Sequence, residues 1–417
     1  MKDFKKASIL LLKRNGFWLL LSLLVVLIFT FFATNGSIEG KIHWYANTLN
    51  GIEQAAQGEF DGSYYIKADF VEKLKAKYPK KLPAEIFKDY DDLYNQAWEI
   101  YNDNIESDEY REIKYALNDY DTLRFNLNEN SYRTSQFKDG HVVLAEQEYA
   151  VINLVLFFGL ILGFLFTSME HFTPYYEFTR MLPWSKTKTY FSKLGLGALL
   201  VTLAYVVLVG FSVLLWKTSY VSNLLYTGGL LKTLALGLGK NILFFVVVVG
   251  LGTASGNIFG HLGMMIIGLG GPMLLTLDYK ILKDMLGLGL DKMDAIFKFE
   301  DLIENKFYYP LYAPIEGLSY GKDQMLIGFA IFSLIIFALG LYWTKTARAE
   351  RSGMLILKKS VSHFAFFMAV ITSVAFFGQI FNTFINTRGL IILPIYAVIG
   401  FIFYKLYKIL FNIKIGV

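Results

Sequence analysis

The sequence predicts an all-α polytopic membrane protein of about eight transmembrane helices, with a mainly helical extracellular domain between the first and second. Three observations carry this expectation. Apolar residues fill 54% of the 417 positions against 18% charged, and mean hydropathy is +0.41, a balance typical of membrane chains rather than soluble ones. The apolar residues gather in runs of about 17–25, the length at which a helix crosses a hydrocarbon core of roughly 30 Å. Charge is also split along the chain: residues 36–149 hold 22 Asp/Glu and 13 Lys/Arg, a net of −9, leaving +14 for the remainder and +5 in total. Short basic loops mark the cytoplasmic face.

Residues 1–16 place Phe4, Ser8, Leu11 and Leu12 on one helical face with Lys2, Lys5, Lys6, Lys13 and Arg14 around it. This pattern fits an amphipathic interfacial helix on anionic membrane lipids at the cytoplasmic surface; a disordered basic tail is the alternative. The first span is 17–34. Its apolar run exceeds a signal-peptide core of about 7–15 residues and no small-x-small cleavage site follows, so it reads as a retained anchor.

The extracellular domain, 36–149, is long enough to fold as a unit. Ile86, Tyr90, Leu93, Ala97 and Tyr101, then Ile113, Leu117 and Tyr120, recur at helical spacing, which predicts amphipathic helices with an aromatic core stripe. The chain returns through a second span, 150–168, to a polar and basic cytoplasmic loop, 169–192. A third span, 193–216, goes back out.

The fourth and fifth spans, 234–251 and 258–277, are rich in glycine. Gly252, Gly256 and Gly260 form a small-xxx-small ladder that lets helix backbones approach, and Gly270-Gly271-Pro272 permits a helix break. Close packing and a flexible gate are the two readings. Residues 278–324 form an extracellular loop whose mixed Gly, Pro and apolar character suggests re-entrant helices. The sixth span, 325–343, leads to a basic cytoplasmic loop, 344–362, and spans seven and eight occupy 363–384 and 391–410. Eight spans put both termini in the cytoplasm of a plasma-membrane protein.

The chain has no cysteine, which excludes disulfides, thiolate metal sites and a thiol nucleophile. Gly237-Leu238-Gly239-Lys240 is not a phosphate loop, because Leu234 and Asn241 stand where that motif needs a glycine and a Ser/Thr. The five histidines, His43, His141, His171, His261 and His363, lack metal-ligand spacing. Asp91 with Asp92 and Asp108 with Glu109 read as a solvated acidic face. We therefore expect no catalytic, cofactor or metal residues and no nucleic-acid partner. Lys240, Asn241 and His261 are polar at membrane depth and are candidates for a translocation path, although Lys240 could also snorkel to the interface.

The run Glu177-Phe178-Thr179-Arg180-Met181-Leu182-Pro183-Trp184-Ser185-Lys186, with Lys193 opening the next span, resembles the first cytoplasmic loop of ABC-2-type (type V) ABC-transporter permeases. The stretch from Tyr342 through Lys345 to Glu350, Arg351 and Gly353 is similar to the loop after the sixth span in Gram-positive members. The resemblance covers the first to sixth spans, and leaves the outer domain and the last two spans unmatched. It implies a permease that pairs with a second copy or paralogue and recruits ABC ATPase subunits, with ATP and Mg on those partners. It further implies ATPase-coupling roles for Glu170, His171, Tyr176, Glu177, Thr179, Arg180, Leu182, Pro183, Ser185 and Lys186, residues 171–182 forming a short coupling helix that Pro183 ends. The large outer domain is similar to that of exporters handling lipids, peptides or antibiotics. Two other classes stay open: a membrane sensor or scaffold with a ligand-binding outer domain, and a polytopic membrane transferase.

Overall fold

Helices dominate the computed structural model, which describes residues 2–58, 68–103, 108–124, 137–172, 185–271, 323–346, 353–385 and 393–413. The chain is all-α and polytopic in character, and its described residues are about 86% helical. Among the described residues, seven helices are long and apolar enough to cross a membrane. They lie within α1 (Lys2–Gln57), α5 (Leu144–Phe166), α6 (Lys186–Thr218), α7 (Leu230–Gly252), α9 (Asp323–Thr346), α10 (Lys359–Ile385) and α11 (Leu393–Leu410). The fifth expected span contributes a shorter apolar helix, α8 (Ile258–Gly271); its remainder, 272–277, and the expected re-entrant segment up to 322 lie outside the described residues.

α1 departs most from the sequence reading. It has 56 residues, about 84 Å at 1.5 Å per residue, and runs unbroken across the expected boundaries at 16 and 36. Gly16 and Gly36 look like stops in the sequence. Each costs a helix interior only about 1 kcal/mol, and neither is followed by a proline, so the helix continues. Its apolar stretch is far shorter than its length, so the C-terminal half projects beyond the spans and becomes the spine of the domain.

That domain packs α2 (Ala68–Lys77), α3 (Asp91–Asp103) and α4 (Asp108–Arg124) onto α1. Tyr45, Leu49 and Ile52 of α1, Tyr90, Ala97, Leu117, Tyr120 and the ring of Phe87 form one core. The periodic aromatic stripe is therefore core, with Leu93 and Tyr101 packed at its edge. A three-stranded sheet closes the domain over the spans: β1 (Phe137–Lys138) pairs antiparallel with β2 (His141–Val143), and β2 pairs parallel with β3 (Leu225–Tyr226). Asp139 and Gly140, both at positive φ (49° and 77°), make the two-residue turn between β1 and β2, the geometry that suits a tight hairpin. Trp216, at the end of α6, is buried in the same core.

The spans have a definite relative sense. Thr34 of α1 bonds Ser212 of α6, while Arg14 and Lys193 of the same two helices meet on Glu170, so α1 and α6 run parallel. α5 is antiparallel to α6, since Glu148 meets Ser212 at one end and Glu170 meets Lys193 at the other. α10 and α11 form an antiparallel hairpin, with Phe366 against Phe411 and Ser373 against Tyr407. The outward faces carry exposed Phe17, Leu20, Phe32, Val206, Leu334 and Phe401, surface that only an apolar surrounding accommodates without association.

Candidate functional site

The end of the bundle opposite the domain carries the polar residues that the sequence singles out. α5 stops at Phe166 and a 3₁₀ turn, Ser168–Phe172, follows. This turn drops Glu170 into the space between α1 and α6. One carboxylate oxygen accepts from Arg14 Nη1 at 3.1 Å and the other from Lys193 Nζ at 2.6 Å. All three side chains are largely buried, at 14%, 4% and 11% exposure for Arg14, Glu170 and Lys193. Arg14 Nη2 also donates to the Leu165 carbonyl at 3.1 Å, which satisfies a backbone group freed by the end of α5. His171 is buried beside Glu170.

The far side of the 169–192 loop is fixed as well. Ser185 caps α6, its Oγ accepting from the Lys188 N–H at 3.2 Å, as N-cap serines do. Lys186 Nζ donates to the Lys345 carbonyl near the end of α9 at 3.2 Å. The expected loop thus contributes its last residues to the first turns of α6. Of the ten expected coupling residues, Glu170, His171, Ser185 and Lys186 are placed in this frame; Tyr176, Glu177, Thr179, Arg180, Leu182 and Pro183 lie outside the described residues.

A second polar element sits one layer deeper. His261 of α8 is buried, with Nε2 donating to the Val248 carbonyl at 2.8 Å and Nδ1 accepting from Ser168 Oγ at 2.8 Å. A carbonyl can only accept, so it fixes the proton on Nε2. Thr167 Oγ1 lies 3.3 Å from the same Nδ1, and the Phe164 ring is 4.2 Å away. Beside it, residues 353–357 are strapped to the α7–α8 turn: Gly256 N–H donates to Leu355 O, Gly353 N–H to Gly256 O and Leu357 N–H to Ala254 O.

The structure does not gather the three candidate path residues at one point. Lys240 Nζ donates to Asn153 Oδ1 at 2.9 Å, and Asn241 Nδ2 donates to the Ile152 and Gly237 carbonyls. Val248, which holds His261, is eight residues further along α7, about 12 Å. All three do face α5, so they mark one seam between α5 and its neighbours. Lys240 is directed at a protein partner within that seam.

Sequence reasoning missed Arg14 as a partner of Glu170, Ser168 as a partner of His261, and Glu148 altogether. Glu148 is fully buried in the second turn of α5, where Oε1 accepts from Ser212 Oγ at 2.9 Å and Thr34 Oγ1 donates to that same hydroxyl at 3.1 Å. The available signal was position: Glu148 precedes the expected second span by only two residues. Among the described residues, no group of three or more His, Cys, Asp or Glu side chains is arranged to hold a metal ion. No family model, curated protein or solved structure matches the chain.

Proposed function

We propose that this chain is the permease subunit of an ABC transporter of the ABC-2 type, an exporter of a lipid, peptide or antibiotic-like substrate driven by a separate ATPase. On this reading it crosses the plasma membrane eight times with both termini cytoplasmic, carries its helical domain outside, and pairs with a second permease copy or paralogue. The ATPase-coupling element is the segment 169–192, and ATP and Mg stay on the partner subunits.

One observation carries the proposal. The flanks of that segment are tied to three different helices: Glu170 to Arg14 of α1 and Lys193 of α6, and Lys186 to the end of α9. A push on the intervening residues is then delivered to several spans at once. That is what a lever needs if a partner with two states is to bias two states of the spans. The energy comes from the partner's differential binding, so this chain requires no hydrolytic groups of its own.

Co-purification tests the proposal. An ATPase subunit is expected to accompany the wild-type chain from its native membrane and to be lost from a Glu177→Lys, Pro183→Gly double variant that still folds. Recovery of the wild type with no ATPase partner, together with none encoded beside its gene, would sink it.

A further inference from the structure

The last two helices meet the rest of the bundle across a cleft that neither the seam nor the coupling frame uses. It has a volume of about 530 Å³ and lies between α8, the 353–357 strap, α10 and α11. Its walls are almost wholly apolar, with Phe259, Ile266, Met368 and Leu410 among them. The polar groups at its far end satisfy each other, Ser373 Oγ and Tyr407 OH lying 2.8 Å apart. Gly263 forms part of the wall, and a Cβ added there would meet nothing within 4 Å.

A second cleft of about 340 Å³ adjoins the first at Phe411 and is more polar, although Phe366 and Tyr404 also line it. Lys359 at the start of α10, Lys408 in the last turn of α11 and His363 line it, with Ser362 and Asn412. Among the described residues, no carboxylate lines either cleft. The basic cleft sits where α10 begins and α11 ends, while the apolar one extends from there toward Ser373, 14 residues or about 21 Å along α10. Cations at the helix ends and an apolar slot running into the span match an amphiphile with an anionic head and a hydrocarbon tail.

We infer that these paired clefts hold one anionic phospholipid of the surrounding membrane, its acyl chain in the slot beside Gly263 and its phosphate at Lys359 and Lys408. The inference rests on the chain lying in a membrane and not on its being a permease. The slot is in the size range of sites that bury a small apolar ligand. The two lysines select charge, because an exposed ammonium attracts an anionic headgroup and gains little from a zwitterionic one.

The full chain, extracted in mild detergent, is washed and its bound phospholipid measured by mass spectrometry, then loaded from vesicles of phosphatidylglycerol or of phosphatidylcholine. Wild type is expected to retain anionic phospholipid selectively. Gly263→Phe and, independently, Ala369→Phe fill the slot and are expected to lower retention several-fold while the thermal melt of at least one stays at the wild-type value. Lys359→Gln with Lys408→Gln is expected to erase the preference for phosphatidylglycerol. Retention unchanged in both slot variants would overturn the inference, as would equal retention of both lipids by the wild type. Loss of self-association in the slot variants without loss of lipid would assign the cleft to a second copy of the chain and overturn it equally.

Discussion

Glu170 and Lys193 are 23 residues apart in sequence, yet their side chains meet at 2.6 Å where α5 ends and α6 enters its third turn. Arg14 takes the other carboxylate oxygen, so one buried acid holds two buried bases. Desolvating such a group is costly, and removing one partner leaves an uncompensated charge. The cluster carries one excess positive charge with Glu170 present and two without it.

Glu170→Gln is therefore expected to destabilise the folded chain by about 3–5 kcal/mol. Thermal melts in detergent, followed by tryptophan fluorescence, provide the measurement. Adding Lys193→Met to Glu170→Gln removes one of the stranded cations and should recover part of the loss. A Glu170→Gln protein that melts like wild type would mean that the three groups are solvated rather than buried.

The glycine ladder separates packing from gating. A Cβ on Gly260 would lie 1.7 Å from the Leu355 carbonyl oxygen, and both partners are backbone. Gly260→Ala must therefore push the 353–357 strap off the α7–α8 turn, at about 1–3 kcal/mol. Gly263→Ala, one turn on, meets open space and should be neutral or gain up to about 1 kcal/mol from better helix propensity. Paired melts of the two variants decide it; equal effects would show that Gly260 is not a contact glycine.

Periodicity made much of the fold legible. The stripe from Ile86 to Tyr120 buries a face at helical spacing and the domain core contains the expected residues, while the spans are legible from the length of their apolar runs. The continuity of α1 was not legible, because Gly16 and Asn35-Gly36 look like punctuation and only the packing of Tyr45, Leu49 and Ile52 against the domain shows why the helix persists. The candidate site was half legible. Glu170 and His261 stand out as polar residues beside apolar runs, but Arg14 lies 156 residues from Glu170 and Ser168 lies 93 from His261. No local pattern records such pairings.

Glu148 gives a test of that missed class. Its Oε1 accepts the Ser212 hydroxyl, while Oε2 is buried without a partner among the described residues. Glu148→Gln keeps the acceptor and removes any charge, so its melt should equal or exceed that of wild type. Glu148→Ala leaves the Ser212 hydroxyl without its acceptor, at about 1–3 kcal/mol. If Gln and Ala lose stability alike, the carboxyl group itself is required, and the neutral-acceptor account fails.

The helical domain has an alkaline limit set by its buried phenols. Tyr94 stacks on Tyr120 with ring centroids 4.8 Å apart, accepts from Trp98 Nε1 at 2.6 Å and donates to Asp121. Burial first, and then the bond to the Asp121 carboxylate, push its phenol up to about 12; Tyr90 and Tyr120 are pushed in the same direction, mainly by burial. The folded chain thus holds the Tyr94 proton more tightly than the unfolded chain, whose tyrosines titrate near 10. That contribution to stability is complete below about pH 10 and declines as pH rises through about 12. Unfolding followed at intervals across this window should show stability falling with pH in the wild type. The fall should be shallower in Tyr94→Phe, whose starting stability is lower because the Asp121 and Trp98 bonds are gone. Tyrosinate absorbance should show one fewer late-titrating phenol in the variant. Identical slopes in the two proteins would remove Tyr94 from the account.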